Sequence, residues 1–247
     1  MKTFSQISFV CYCFISFSSV AQSSKNIEER LNKSFKRISY WELHKNDRNV
    51  SGDDSLEKAN DFFQQKLKEY TVKYQLTLKQ RFLKIENLNV AVSGDGNLKC
   101  YSWDDGTGGT MRYYKNVIQY KIGNQLFSES IETGMLDEIY TIKIRNITYY
   151  LVTHFAQAMS GYYSEGISMW TIKNGRLYMN PKLFKTGFHL TSSIDYSYYM
   201  DERFNGHLRY DKKTNVLYIP VTTEDERLTG KHAAYIFSGR YFEKMKS

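Results

Sequence analysis

Proline is nearly missing from this 247-residue chain: there are two, beside fifteen glycines. That is too little for a Pro/Gly-rich linker, a collagen-like repeat or a low-complexity tail. Cysteine is also scarce. Cys11 and Cys13 fall within the first 24 residues, and Cys100 stands alone. A lone cysteine excludes a disulfide-stapled scaffold, and the lack of CxxC or of a Cys/His pair at zinc spacing excludes a cysteine-ligated metal centre. Charge of one sign is not in large excess either. The 34 Lys and Arg against 26 Asp and Glu leave +8, spread along the chain instead of gathered in one segment. A nucleic-acid binder would concentrate its basic residues in a stripe, so nucleic acid is excluded as a partner and a mild attraction to acidic surfaces or glycans remains. The sequence contains no Walker loop, HExxH, GxSxG or EF-hand pattern.

What is present begins with a leader. Lys2 is the only charge before Lys25. The short apolar run Ile7 to Phe17 and the small-x-small ending at Ala21 follow it. This is the tripartite pattern of an export signal over 1–21, cleaved after Ala21. The apolar run is shorter than the ~20 residues that cross a bilayer and is broken by serines, so the mature chain is expected to have no transmembrane span. Cleavage removes Cys11 and Cys13. Cys100, in the alternating run Leu98 to Trp103, reads as a buried small hydrophobe.

Residues 22–86 read as a helical hairpin. Asn26 is placed to cap the first helix, with Glu29 completing a capping box, and Ile27, Leu31, Phe35 and Ile38 form its apolar stripe. Leu56, Ala59, Phe63, Leu67, Tyr70 and Tyr74 follow at steps of three and four on the second. After about residue 86 the period changes to two, and 87–247 reads as an antiparallel β domain. Hairpins are expected at Asp95-Gly96, Arg145-Asn146, Asn174-Gly175 and across 211–215. A weak repeat runs through Tyr120…Gly123…Phe127, Trp170…Gly175…Tyr178 and Tyr235…Gly239…Phe242, each the ending of a meander. Spacings near 50 residues suit propeller blades of four strands. The expected fold is therefore α+β: an N-terminal helical hairpin followed by an antiparallel, propeller-like β-meander domain with about three repeats, open-ended and covered at one end by the helices.

The run Ser93-Gly-Asp-Gly to Tyr101-Ser-Trp-Asp-Asp-Gly-Thr-Gly-Gly-Thr110, with Tyr162-Tyr-Ser-Glu-Gly further on, resembles a group of uncharacterised exported bacterial β-repeat proteins. Their hallmark is a DG hairpin followed by YSWD and a GTGGT loop. The resemblance covers about half of the chain and implies a repetitive β architecture. It implies no activity and brings no catalytic residues with it.

The best candidate site is the loop Trp103, Asp104, Asp105, Thr107, Gly108, Gly109 and Thr110. Its carboxylates and hydroxyls could hold calcium through oxygen ligands, and its backbone N–H groups could form an anion nest. The same composition also makes a tight turn, with glycine at positive φ and Asp closing local turns. His154 with Ser160 and Glu165 could assemble a triad, and the acidic clusters Asp104-Asp105, Asp137-Glu138, Asp201-Glu202 and Glu224-Asp225-Glu226 could supply a glycosidase acid and base. Adjacent tyrosines at 113-114, 149-150, 162-163 and 198-199 point to opposite strand faces, so one of each pair is free for contact with proteins or sugars. The resulting expectation is an exported, periplasmic or secreted, non-enzymatic binding module for a glycan or an envelope protein. The alternatives are a hydrolase acting on envelope or environmental polymer and a structural envelope component.

Overall fold

The structure, a computed structural model, describes residues 5–47 and 51–245, with side chains from Lys25 onward. Residues 1–4 of the expected leader lie outside the described residues, as do the side chains of Cys11 and Cys13.

The helical hairpin consists of α1 (Ser5–His44) and α2 (Gly52–Lys73). Asn26 is not a cap: the helix runs through it. Residues 5–44 contain neither proline nor glycine, so nothing in the local sequence ends the helix there. Ile27, Leu31, Phe35 and Ile38 meet Leu56, Ala59, Phe63 and Leu67 in one buried cluster, with Phe35 and Phe63 edge to face at 5.0 Å. Gly52 opens α2 against the preceding loop. A Cβ there would lie 2.6 Å from the Lys45 backbone, so only glycine permits this close return. Asp53 and Asp54 in the first turn and Lys73 in the last complement the helix dipole.

Three sheets follow. The first has β1 (Asn89–Val92), β2 (Leu98–Asp104), β3 (Tyr114–Ile122) and β4 (Gln125–Ile131) in simple antiparallel order. The second has β5 (Met135–Ile144), β6 (Ile147–Met159) and β7 (Tyr162–Lys173), with β8 (Arg176–Tyr178) on one part of the free edge of β7. The rest of that edge takes β11 (Ser193–Tyr199). The third is the meander β12 (Arg209–Asp211), β13 (Val216–Thr222), β14 (Leu228–Phe237) and β15 (Phe242–Lys244). It is extended by β9 (Phe184–Thr186), parallel to β15, and by β10 (His189–Thr191). Four-stranded meanders thus occur three times, at β1–β4, β5–β8 and β12–β15. In each, the last hairpin turns at a positive-φ glycine: Gly123, Gly175 and Gly239. No sheet closes on itself.

Strand alternation stacks these layers. Tyr101, Trp103 and Val117 on one face of the first sheet join the helical cluster. Leu98, Cys100, Ile118 and Tyr120 on its other face join Leu136, Tyr150, Val152 and Trp170 of the second sheet. Leu151, Ile167 and Met169 on the far side of the second sheet pack against Phe184, Leu217, Ile219 and Phe242 of the third. The order is helices, first sheet, second sheet, third sheet. Cys100 lies inside the second of these cores, where burial pushes its thiol pKa up and leaves it without thiolate reactivity.

Candidate functional site

The loop after β2 is held from all sides. Trp103 is wholly buried, and its Nε1–H donates to Asn60 Oδ1 at 2.9 Å, so it anchors the loop to α2 and presents nothing to a ligand. Asn60 Nδ2 in turn donates to the Asp105 carbonyl at 2.8 Å. Asp104 accepts from the Gly106 N–H at 2.9 Å and meets Arg112 Nη1 at 3.1 Å. Asp105 Oδ1 accepts from the Thr107 N–H and hydroxyl at 2.8 and 2.6 Å. The Lys45 ammonium donates to the carbonyls of Gly106 and Gly108 at 2.7 and 3.1 Å, which is where an oxygen-liganded cation would sit. Gly108 permits the fold of the loop, since a Cβ there would lie 2.0 Å from the Met111 carbonyl oxygen, while Gly109 faces open space. The Thr110 carbonyl accepts from Gln157 Nε2 at 3.0 Å. Among the described residues no group of three His, Cys, Asp or Glu is placed to hold a metal. No local signal points to Lys45, which follows α1 in the turn between the two helices.

Beside this loop lie two hollows of about 590 and 600 Å³ that share Arg112 and Tyr114. The first runs between Asp61 and Gln64 of α2, the loop residues Asp105 and Tyr113, Lys115 and Asn116 of β3, and the turn at Glu132–Gly134. The second lies against Ile38, Ser39 and Glu42 of α1 and Gln157 of β6. The cations of the first hollow are committed: Lys115 to Asp61 at 3.0 Å and Arg112 to Asp104 at 3.1 Å. Tyr113, 51% exposed, lines it with its ring edge beside Gly108, while Gln64, Glu132 and Thr133 add further hydrogen-bonding groups. Of the expected site residues only Asp105 lines this hollow, and Asp104 lines its neighbour.

The other polar constellation is on the second sheet. His154 on β6 and Asp195 on β11 are both register partners of Gly166 on β7, and their side chains meet above it at 2.8 Å. A Cβ on Gly166 would lie 2.5 Å from His154 Nε2 and 2.3 Å from Asp195 Oδ1. The bond from His154 holds the Asp195 carboxyl below its usual pKa range, with Ser193 Oγ donating to its other oxygen at 2.8 Å. The order is serine, aspartate, histidine, so the hydroxyl that a triad would place on the histidine is on the carboxylate instead. Glu165, the adjacent residue of β7, points to the opposite face. There it is buried and accepts from Tyr196, Tyr198 and the Nδ1 of His207 at 2.9, 2.8 and 2.6 Å. Burial, and after it the charge of Glu165 and the hydrogen bond to it, push both tyrosine pKa values up. These bonds bind the 200–208 loop to the sheet and flank a hollow of about 370 Å³ that also holds Asp137 and Glu138. Burial and Asp137 raise the pKa of Glu138.

No described helix is long and apolar enough to cross a membrane. No protein-family model, no curated protein and no solved structure matches the chain, so the reading of its function rests on this geometry.

Proposed function

We propose that this is an exported, non-enzymatic binding module whose ligand is a glycan, taken up in the hollow bounded by Asp61, Gln64, Asp105, Tyr113 and Thr133. The observation that carries the reading is the exposed Tyr113 ring on the lining of a hollow that also presents amides, hydroxyls and carboxylates, its two cations being held in ion pairs. A sugar presents a C–H face that packs on an aromatic ring and hydroxyls that pair with such groups. The committed ion pairs at Lys115 and Arg112 keep the wall rigid, which lowers the ordering cost of binding. The leader at 1–21 delivers the chain to the periplasm or the medium, where glycans and envelope proteins are the available ligands. The three stacked meanders form an open, propeller-like scaffold, and its YSWD and GTGGT stretch resembles that of exported β-repeat proteins. A hydrolase reading gains less support, because His154 is engaged by Asp195 and Glu165 stands on the other side of β7.

A thermal-shift panel of neutral and acidic glycans, with calcium as a separate additive, tests this. A ligand at 100 times its Kd stabilises by about 2.7 kcal/mol, and Tyr113→Ala is expected to abolish the shift without lowering the unliganded midpoint. Calcium is expected to leave the midpoint unmoved, since the Lys45 ammonium already occupies the carbonyls. A glycan panel without any shift, or a shift that survives in Tyr113→Ala, would remove the basis for this site.

A further inference from the structure

The linear charge count missed a local concentration of cations that the helical hairpin creates. Arg30, Lys33 and Arg37 follow one another on α1 at steps of three and four, which places them along one side of the helix. That side adjoins Phe62 of α2: the Arg37 guanidinium lies 5.1 Å from the Phe62 ring centroid and the Lys66 ammonium 4.7 Å. Phe62 is 42% exposed and flanks the buried stripe of Leu56, Phe63 and Leu67. None of Arg30, Lys33, Arg37 and Lys66 forms an ion pair among the described residues, whereas Lys25, Arg112, Lys115, Lys185 and Arg203 do. Glu69 on α2 accepts from Gln65 at 3.2 Å, and Glu29 on α1 pairs with Lys25 at 4.0 Å. Both cations therefore lie against the one ring, whose π electrons attract each of them, and neither is neutralised by an ion pair among the described residues.

We propose that this seam binds a linear acidic glycan, with Arg37 and Lys66 meeting its carboxylate or sulfate groups and Arg30 and Lys33 extending the contact along α1. Three features favour this ligand. The cations form a row, and a row complements a repeating linear anion better than a point ligand. The one aromatic ring is already occupied by the two cations, so the seam has no free apolar wedge to bury in a bilayer. A chain that leaves the cell meets acidic polysaccharide before it meets nucleic acid. The inference shares with the Tyr113 hollow only the expectation that the exported chain contacts glycans. The seam and the hollow lie on different sides of α2, so variants separate them.

The test uses the purified chain in the form the producing cell releases. Binding to polygalacturonate is measured as a function of salt, with dextran, duplex DNA and phosphatidylglycerol vesicles in parallel. Wild type is expected to bind polygalacturonate but not dextran in this assay, with affinity falling as salt rises. Arg37→Ala with Lys66→Ala, an exposed and a half-buried helical position that alanine suits, is expected to weaken binding about tenfold or more and to lower the salt slope by about one unit per cation removed. Lys213→Ala, which removes an exposed cation in the β12–β13 turn, is expected to leave this binding unchanged. Equal binding by the double variant overturns the proposal, as does no binding by wild type. Tighter binding of DNA or vesicles than of polygalacturonate overturns it too, by assigning the seam to another polyanion. A lost glycan shift in Tyr113→Ala with seam binding intact would instead concern the hollow alone.

Discussion

Lys99 is the residue that least fits its surroundings. It is on β2, facing the helical side, wholly buried, and its ammonium donates to the carbonyls of Thr77 and Gln80 while lying 4.9 Å from the ring centroids of both Phe82 and Tyr101. No carboxylate is paired with it among the described residues. Burial pulls its pKa from 10.5 down to about 7, and the two carbonyls and two ring faces work against that fall. Between pH 7 and 10.5 the unfolded lysine holds a proton that the folded one has released, so folding stability rises with pH over that window, by at most about 1.4 kcal/mol per pH unit. Above pH 10 the buried tyrosines reverse the trend. Tyr150, Tyr196 and Tyr198 have folded pKa values raised by burial, so the folded state then holds protons that the unfolded state has lost. Denaturant unfolding measured from pH 7 to 9.5 should therefore give a rising wild-type curve and a flat one for Lys99→Met. Parallel curves would mean that the ammonium stays charged throughout.

At the scale of elements, Gly166 makes a sharper case than any turn glycine. It lies in the middle of β7, where its missing side chain leaves room for His154 and Asp195 to meet across three strands. Gly166→Ala is expected to cost about 1–3 kcal/mol through overpacking against both side chains. In a background with His154→Ala and Asp195→Ala the same change should cost much less; equal costs in the two backgrounds would show that the glycine serves the backbone and not the pair. Nothing local in the sequence announces this arrangement, because residues 154, 166 and 195 are brought together by strand register alone. The same reason hid Lys45 in the GTGGT loop, the β9–β15 parallel pairing, and the burial of Trp103. Alternation put Trp103 and Tyr101 on one face but could not say that the helices cover it. What could be read had a short-range cause. Asn174-Gly175 and Asp95-Gly96 are hairpin turns by their own backbone preferences, and the steps of three and four at Leu56, Ala59, Phe63 and Leu67 are the buried stripe of α2. Helix ends were less legible. Asn26 has the chemistry of a cap, but a cap ends a helix only when the residues before it leave the helical conformation.

For the whole molecule, the decisive feature is that single strands serve two cores. Tyr101 and Trp103 of β2 belong to the helical cluster while Leu98 and Cys100 of the same strand belong to the next. Val152 and Leu151 of β6 divide in the same way between the second cluster and the third. A strand cannot leave one cluster and remain in the other, so the layers are coupled in series, and tryptophan fluorescence and far-UV circular dichroism should report one coincident unfolding transition. The helices are then not a removable cover. Without residues 1–86 the chain exposes Tyr101, Trp103 and Val117 on the first sheet and strips Lys99 of its carbonyl partners. Each large apolar side chain returned to water costs about 1.5–3 kcal/mol, and three of them approach the whole net stability of about 5–15 kcal/mol typical of a domain. Residues 87–247 alone are thus expected to lack a cooperative transition and to aggregate through the uncovered face. If that fragment unfolds cooperatively at the midpoint of the full chain, the helical hairpin is an independent unit, and the coupling through β2 is too weak to bind the layers into one fold.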